Sequence, residues 1–421
     1  MKRRDFIKLA GAGAAVGTLS GLAGCASTVP GRARVVVVGG GFGGATVAKY
    51  IRLWAPSVDV VLVERESAFV SCPISNLVLG GFTGMDNITT AYDGLRRHGV
   101  QVVRDEAVAI DAARKTVRLA RGDDITYERL VVSPGIDFNF GEIQGYEAAM
   151  QQGRVLHAWK AGAQTVDLRR QLEGMRDGGV AILSIPAAPY RCPPGPYERA
   201  SMIAAYLKRA KPRSKLLVLD ANPDVTSKGG LFKAAWKDYY AGNLEYRGNA
   251  KAVAIEGSAV RTEFDTVRGD VLNVVPPHRA GDIAVKAGLI THNNRWCDVD
   301  WRSMESRKVP GIHVLGDATL SAPGMPKSGS MANNHAKIAA AAIVGALTGR
   351  GAGSDPKIIN TCYSFVSEKE AIRVSSVHEW NAAQGTLVPV KGAGGVSTAR
   401  SEAEGTFAWN WARTIWADSL G

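Results

Sequence analysis

The 421-residue sequence is poor in several features that would each define a function. It contains no Cys-x-x-Cys-His, so no c-type haem is attached to it. Its seven histidines are scattered and give no spacing of metal ligands. Past the first residues there is no run of Lys or Arg and no basic stripe interleaved with aromatics. The net charge of +12 therefore does not read as a nucleic-acid surface. A diffuse positive field instead draws anions or an acidic protein partner. No repeat occurs at solenoid spacing, and Gly351-Ala-Gly-Ser is the one linker-like tract. The apolar run near the start is too short and too Gly-rich to span a membrane. Cysteine is rare, with five residues: Cys25, Cys72, Cys192, Cys297 and Cys362. What remains is 46% hydrophobic and 21% charged, a soluble globular composition with length for two or three domains.

The most informative stretch is Val35-Val-Val-Val-Gly39-Gly-Gly41-Phe-Gly-Gly44. Four β-branched residues predict a buried strand, and Ala45-Thr-Val-Ala-Lys-Tyr-Ile-Arg-Leu predicts a helix. Between them lies Gly39-x-Gly41-x-x-Gly44, the dinucleotide fingerprint in its required strand–turn–helix context. Gly39 permits the tight turn, Gly41 lets a pyrophosphate approach, and Gly44 lets helix and strand pack closely. The helix N-terminus then offers unpaired N–H groups and a positive dipole end. A second strand, Val58-Asp-Val-Val-Leu-Val63, ends in Glu64, about 20 residues past the last glycine, where a carboxylate accepts from ribose hydroxyls.

The leader reads Met1-Lys-Arg-Arg-Asp-Phe-Ile-Lys8, followed by an Ala/Gly/Leu run to Ala23. Basic, apolar and small residues in that order describe a secretory signal, and Arg3-Arg4 marks the twin-arginine type that exports folded proteins. Cleavage after Ala26 suits a small-residue rule, while Leu22-Ala-Gly-Cys25 also matches a lipoprotein box with Cys25 lipidated. Either route places the mature chain outside the cytoplasm, and membrane contact is expected only if Cys25 carries lipid.

Further along, Tyr127-Glu-Arg-Leu-Val-Val-Ser-Pro-Gly135 is a buried strand ending in a turn. It resembles the strand that closes the first FAD segment of two-dinucleotide-fold flavoproteins. A second module runs from about Gln151 to Thr266, with strands Val180–Ile185 and Lys215–Asp220. Where its glycine fingerprint should stand, Pro186-Ala-Ala-Pro189 occurs instead. Proline supplies neither the N–H groups nor the close approach a pyrophosphate needs, so this module is expected to bind no nicotinamide. Val309-Pro-Gly-Ile-His-Val-Leu-Gly316-Asp317 resembles the second FAD segment, whose Asp binds the ribityl chain. Pro326-Lys327-Ser-Gly-Ser-Met-Ala-Asn-Asn-His335-Ala-Lys337 then leads into an apolar helix expected over Ile338–Leu347, with Lys327 a candidate cofactor contact. His335 reads as a packed or flavin-adjacent residue.

The cysteines allow more than one reading. Cys72 lacks the partner of a local Cys-x-x-x-x-Cys pair, because Leu77 stands there. It is either an inert buried thiol or a residue bonded to a flavin ring. Cys192 sits in the stiff Pro189-Tyr-Arg191-Cys192-Pro-Pro-Gly-Pro-Tyr-Glu198-Arg199, where Arg191 favours a thiolate and Glu198 could hold or relay a proton. Cys362 can meet Cys192 only if the C-terminal segment folds back, and Cys297 reads as structural or free.

These residues together resemble the flavoprotein subunit of flavocytochrome c sulfide dehydrogenase, over essentially the whole chain from Arg3-Arg4 to Trp411-Ala-Arg-Thr-Ile-Trp416-Ala-Asp-Ser-Leu-Gly421. The resemblance implies an FAD joined covalently to Cys72, a redox-active disulfide between Cys192 and Cys362, and Glu198 beside the active site. It implies hydrosulfide as substrate and a separate c-type cytochrome as electron acceptor. The expected architecture is α/β. Two Rossmann-like dinucleotide-fold modules, an FAD domain (33–150, returning over 267–350) and a degenerate nicotinamide-type domain (151–266), follow a signal (1–26) and precede a small C-terminal interface domain (354–421). Candidate cofactor contacts are Gly39, Gly41, Gly44, Glu64, Cys72, Gly135, Asp317 and Lys327. Three rival readings stand beside it: a sulfide:quinone reductase, with Trp409, Trp411 and Trp416 as a membrane patch; an NADH-dependent disulfide reductase; and a non-catalytic flavin electron carrier.

Overall fold

The computed structural model describes residues 32–350 and 355–421. The leader with Arg3-Arg4 and Cys25, and the Gly351-Ala-Gly-Ser tract, lie outside the described residues.

The Val-rich strand Arg34–Val38 is buried on both faces because it is central. It pairs in parallel with Asp59–Glu64 on one side and Arg129–Val132 on the other, with Val38 opposite Val63 and Val132. Near-continuous apolar runs are what such a doubly covered parallel strand requires. Gln101–Arg104 extends the sheet at one edge. On the other, Val299–Asp300, Glu305–Ser306 and Ile312–Val314 rejoin it next to Arg129–Val132. Helix α1 (Phe42–Trp54) packs close to its own turn: a Cβ on Gly44 would stand 1.7 Å from Gly39 O, so only glycine allows the approach. The short helix α2 (Ser75–Gly80) follows the Cys72 loop and is entirely buried.

The second sheet is parallel throughout, in the order Val155–Leu156, Val271–Val274, Val180–Ile185, Lys215–Asp220, Leu244–Arg247. Helices α3 (Gly195–Ala210) and α4 (Gly229–Tyr240) contribute Tyr197, Ile203, Leu207, Phe232 and Trp236 to its core. Val271–Val274 sits inside this sheet, so the second module reaches beyond the expected boundary at 266. A four-residue buried strand carries no pattern that says which sheet it joins; pairing decides it.

Helix α5 also differs from expectation. It spans Gly329–Thr348, not Ile338–Leu347, and is capped by Ser328 Oγ accepting from Met331 N at 3.1 Å. Its first turns are polar in sequence, yet those side chains find partners: Asn333 Nδ2 donates to Thr46 Oγ1 (3.0 Å) and Asp418 Oδ2 (2.7 Å), and His335 Nδ1 accepts from Gly316 N (3.3 Å). The C-terminal segment is an antiparallel meander, Lys357–Phe365, Ala371–Asn381 and Thr386–Val396, followed by helix α6 (Glu402–Leu420). Asp418 anchors α6 to α1 and α5 through Tyr50 Oη (2.6 Å) and Lys337 Nζ (2.9 Å). Trp409, Trp411 and Trp416 pack against Ile74, Leu77 and Phe365, and Trp416 Nε1 donates to Ser71 Oγ at 3.0 Å. Among the described residues no helix is long and apolar enough to cross a membrane.

Candidate functional site

A cavity of about 670 Å³ runs from the glycine turn to the thiols. Gly39 stands at φ +97°, and a Cβ there would lie 2.4 Å from Ser133 O. A Cβ on Gly41 would meet no protein atom within 4 Å, so the space it faces is the cavity itself. Glu64 Oε2 accepts from Gly40 N (2.6 Å) and Oε1 from Glu66 N (2.9 Å), which fixes the carboxylate across the mouth of the turn. Gly135, at φ +64°, lines the same cavity. So does Asp317, whose buried Oδ1 has no partner in the protein and whose pKa burial raises.

An acid buried with an orphaned oxygen, a glycine facing open volume and a capless helix N-terminus at Gly41 fit a dinucleotide of the FAD type. Gly39, Gly41 and α1 would hold its pyrophosphate, Glu64 its adenosine ribose, and Asp317 hydroxyls toward the flavin end. Lys327 departs from expectation. Its ammonium donates to Thr319 O and lies 3.7 Å over the Trp296 ring, outside the cavity wall, and burial lowers its pKa to about 7. Only its carbonyl serves the site, by accepting from Cys192 N at 2.8 Å.

The cradle gives a prediction. Gly41 has φ −71° and ψ −168°, which valine also adopts. Gly41→Val is therefore expected to leave the stability of flavin-free protein within about 1 kcal/mol. Flavin content after purification should fall at least roughly tenfold, because the new side chain fills the pyrophosphate's place. Urea unfolding and the flavin-to-protein absorbance ratio check the two parts.

Cys72, Cys192 and Cys362 all line this cavity, whereas Cys297 is buried away from it. Cys72 Sγ lies between Trp159 O (3.8 Å) and Ala161 N (3.5 Å). Cys192 has left-handed backbone, φ +58°, an uncommon conformation for a side-chain-bearing residue and one concentrated at functional sites. Cys362 Sγ donates to Asn360 Oδ1 at 3.4 Å. The expected Cys192–Cys362 disulfide is not formed here: the structure brings the two to one cavity as separate thiols. Burial raises both their pKa values.

Glu198 ties the three cysteine segments together. It rises from α3, just past Cys192, and accepts from Asn76 Nδ2 of α2 (2.7 Å) and from Phe365 N (2.8 Å), on the strand that carries Cys362. Its pKa is raised, chiefly by burial. Arg199 completes the junction, with bonds to Asn76 Oδ1 (3.1 Å), His157 O (2.9 Å), Ala158 O (2.7 Å) and Asn273 Oδ1 (3.0 Å). Burial lowers Arg199 to about 9. Asn76 and Arg199 were not singled out from sequence. The available signal was Glu198-Arg199, two adjacent charges in the first turns of a helix whose next charges are Lys208 and Arg209.

The acid that ends the second module's second strand is engaged by the chain itself. Asp220 ends the strand Lys215–Asp220, where an open site would offer an acid to a ribose. It is fully buried and accepts from Tyr197 Oη (2.8 Å), Tyr246 Oη (2.9 Å) and Asn222 N (2.9 Å).

Residues 33–169 match the model for pyridine nucleotide-disulphide oxidoreductases. Residues 165–276 match the central region of the sulfide dehydrogenase [flavocytochrome c] flavoprotein chain, and 354–420 the flavocytochrome c sulphide dehydrogenase flavin-binding region. The mitochondrial sulfide:quinone oxidoreductase of Mus musculus is 23% identical over 309 residues, 70% of this chain and 68% of that one. The solved sulfide:quinone oxidoreductase of Aquifex aeolicus superposes with a TM-score of 0.73 at 20% identity, covering 92% of each chain, a likeness of fold. The sulfide dehydrogenase [flavocytochrome c] flavoprotein chain of Chlorobaculum thiosulfatiphilum is 65% identical over 48 residues, 11% of this chain and the whole of that sequence. With both family-specific models matching the regions that carry Cys192, Glu198 and Cys362, this chain belongs to the flavoprotein-chain family of flavocytochrome c sulfide dehydrogenases.

Proposed function

We propose that this chain holds FAD linked through Cys72, oxidises hydrosulfide with the Cys192–Cys362 pair, and passes electrons to a c-type cytochrome on a partner chain. The observation that carries the reading is the convergence of three thiols from three distant segments on one dinucleotide cavity, with Glu198 joining those segments. Bound there, the flavin supplies a two-electron acceptor that can be emptied in single-electron steps.

The remaining chemistry belongs to the chain. With the pair oxidised, HS⁻ bonds to one sulfur, the S–S bond breaks, and its electron pair leaves on the other cysteine as a thiolate. The attacked cysteine is then a persulfide. A second HS⁻ takes the outer sulfur, giving HSS⁻ and a cysteine thiol. Thiol and thiolate re-form the disulfide with release of one proton and two electrons. Two hydrosulfides thus yield HSS⁻, one proton and two electrons. Glu198, whose carboxylate burial makes more basic, takes the proton. Arg191, on the cavity wall beside Cys192, draws the anion in.

The absence of a haem-attachment motif from this chain supports a separate cytochrome subunit. The leader Met1–Ala26 with Arg3-Arg4 supports a periplasmic site of action after export in the folded state. A quinone acceptor is the second reading, favoured by the names of the mouse and Aquifex relatives. The test starts from protein whose flavin stays with the polypeptide on a denaturing gel. Anaerobic sulfide is expected to bleach the flavin, and oxidised c-type cytochrome to restore its colour faster than a short-chain quinone does. Rapid recovery with quinone and none with cytochrome would overturn the cytochrome assignment.

A further inference from the structure

The turn that presents Cys72 is strained, and a side chain from the far end of the sequence holds it. Ile74 stands in left-handed backbone, φ +75°, an outlier for a β-branched residue. Such strain persists only where the surroundings over-determine the conformation. Most of the ties are local. Ser71 N donates to Ile88 O (2.8 Å), and Cys72 O accepts from Ser75 N (3.1 Å) and Ser75 Oγ (2.6 Å). Ser71 Oγ donates to Pro73 O (2.9 Å), bridging over the cysteine between them. One tie is not local: Trp416 Nε1, on α6, donates to that same Ser71 Oγ across 345 residues of chain.

Both partners of this bond are fixed. Ser71 is buried, and its one hydroxyl proton goes to Pro73 O. The indole N–H, a donor only, therefore meets the acceptor side of the oxygen. Trp416 in turn opens the fastened end of α6. Lys49 Nζ donates to Ala417 O and Asp418 O (both 3.0 Å), Thr46 Oγ1 bonds Ser419 Oγ (2.9 Å), and His98 Nε2 donates to Gly421 O (3.0 Å). A Cβ on Gly94 would lie 1.8 Å from Leu420 O, so this end is seated against bare backbone. In front of the turn, the Cys72 sulfur faces the dinucleotide cavity between Trp159 O and Ala161 N. Ser71 and Trp416 stand behind it, and other residues make the cavity wall.

We propose that Trp416 is a positioning residue for the flavin linkage: through Ser71 it holds Cys72 Sγ where the flavin's methyl carbon arrives. The inference rests on the linkage at Cys72 proposed above. In that bond Cys72 Sγ replaces one methyl hydrogen. The thiol and the methyl group give up two protons to solvent and two electrons, which leave through the flavin for two oxidised c-type haems. A sulfur displaced by about 1 Å from the bonding approach loses on the order of a hundredfold in rate. Linkage thus follows the docking of α6, the last element of the chain.

The test isolates full-length protein after a short induction, before linkage is complete. Intact-mass spectrometry of the denatured chain reads linked flavin, and absorbance of the native protein reads total bound flavin. Trp416→Phe keeps an aromatic ring and removes the N–H. Its linked fraction is expected to fall roughly fivefold or more, with total flavin unchanged. Ser71→Ala should do the same, and adding Trp416→Phe to it should cost nothing further, since both act through one hydrogen bond. An unchanged linked fraction in Trp416→Phe overturns the proposal, and so does a double variant whose loss is the product of the two single losses. Equal falls in linked and total flavin also overturn it, because a merely structural tie weakens flavin binding and leaves their ratio alone. Should Trp416→Phe fail to fold, Ser71→Ala decides in its place by the same ratio. Unaltered protein that carries no linked flavin after long induction removes the linkage reading and this proposal with it. Linked flavin there, with an unmoved ratio in the variants, removes this proposal alone.

Discussion

Replacing Cys192 with serine is expected to abolish sulfide-dependent bleaching of the flavin, and Cys362→Ser to do the same, each by on the order of a thousandfold. A serine hydroxyl cannot enter thiol–disulfide exchange, so either substitution removes the bond on which the proposed sulfide chemistry depends. The losses should not add in the double variant, since the two sulfurs act as one unit. Flavin content should stay near that of the unaltered chain, because the cradle at Gly39, Gly41, Glu64 and Asp317 is built by other segments. Stopped-flow absorbance after anaerobic mixing with sulfide makes the measurement, with dithionite as the control for a reducible flavin. Full retention of sulfide-dependent reduction in Cys192→Ser would instead identify a non-catalytic electron carrier.

Arg199→Met is expected to cost about 3–5 kcal/mol of folding stability, the largest effect predicted for any single side chain here. The guanidinium is 2% exposed and satisfies acceptors on α2, on the 157–158 segment and on Val271–Val274 at once. Removing it takes the donor from buried Asn76 Oδ1, Ala158 O and Asn273 Oδ1, while His157 O keeps Asn273 Nδ2, and it leaves Glu198 without its neighbouring positive charge. Lysine should rescue little, since one ammonium cannot span a fork of four acceptors. Urea unfolding of flavin-loaded protein measures the loss; a change under about 1 kcal/mol would show that the junction re-forms without the guanidinium.

How much of this was legible beforehand follows from how local each feature is. The β–α–β unit from Arg34 to Glu64 could be read directly, because valines, glycine spacing and the terminal acid all lie within one short stretch. Pro186-Ala-Ala-Pro189 likewise announced a second module without a phosphate turn, and the structure adds that Tyr197 and Tyr246 engage its acid. The start of α5 was hidden because Ser330, Asn333 and His335 read as loop residues; they are held in the helix by partners on the strand Lys357–Phe365, on α1 and in the turn at Gly316. The strand Val271–Val274 was too short to declare its sheet. Lys327 was named a cofactor contact on its neighbourhood alone, and no local pattern foretold that its ammonium lies over the face of Trp296.

By itself, the sequence determined the α/β class, the first dinucleotide cradle and the family resemblance, all of which rest on local periodicity or short motifs. Only the tertiary structure decided that Cys72, Cys192 and Cys362 share one cavity. Glu198 reaches its partners across 122 and 167 residues of chain, and such a separation says nothing about which segments will pack.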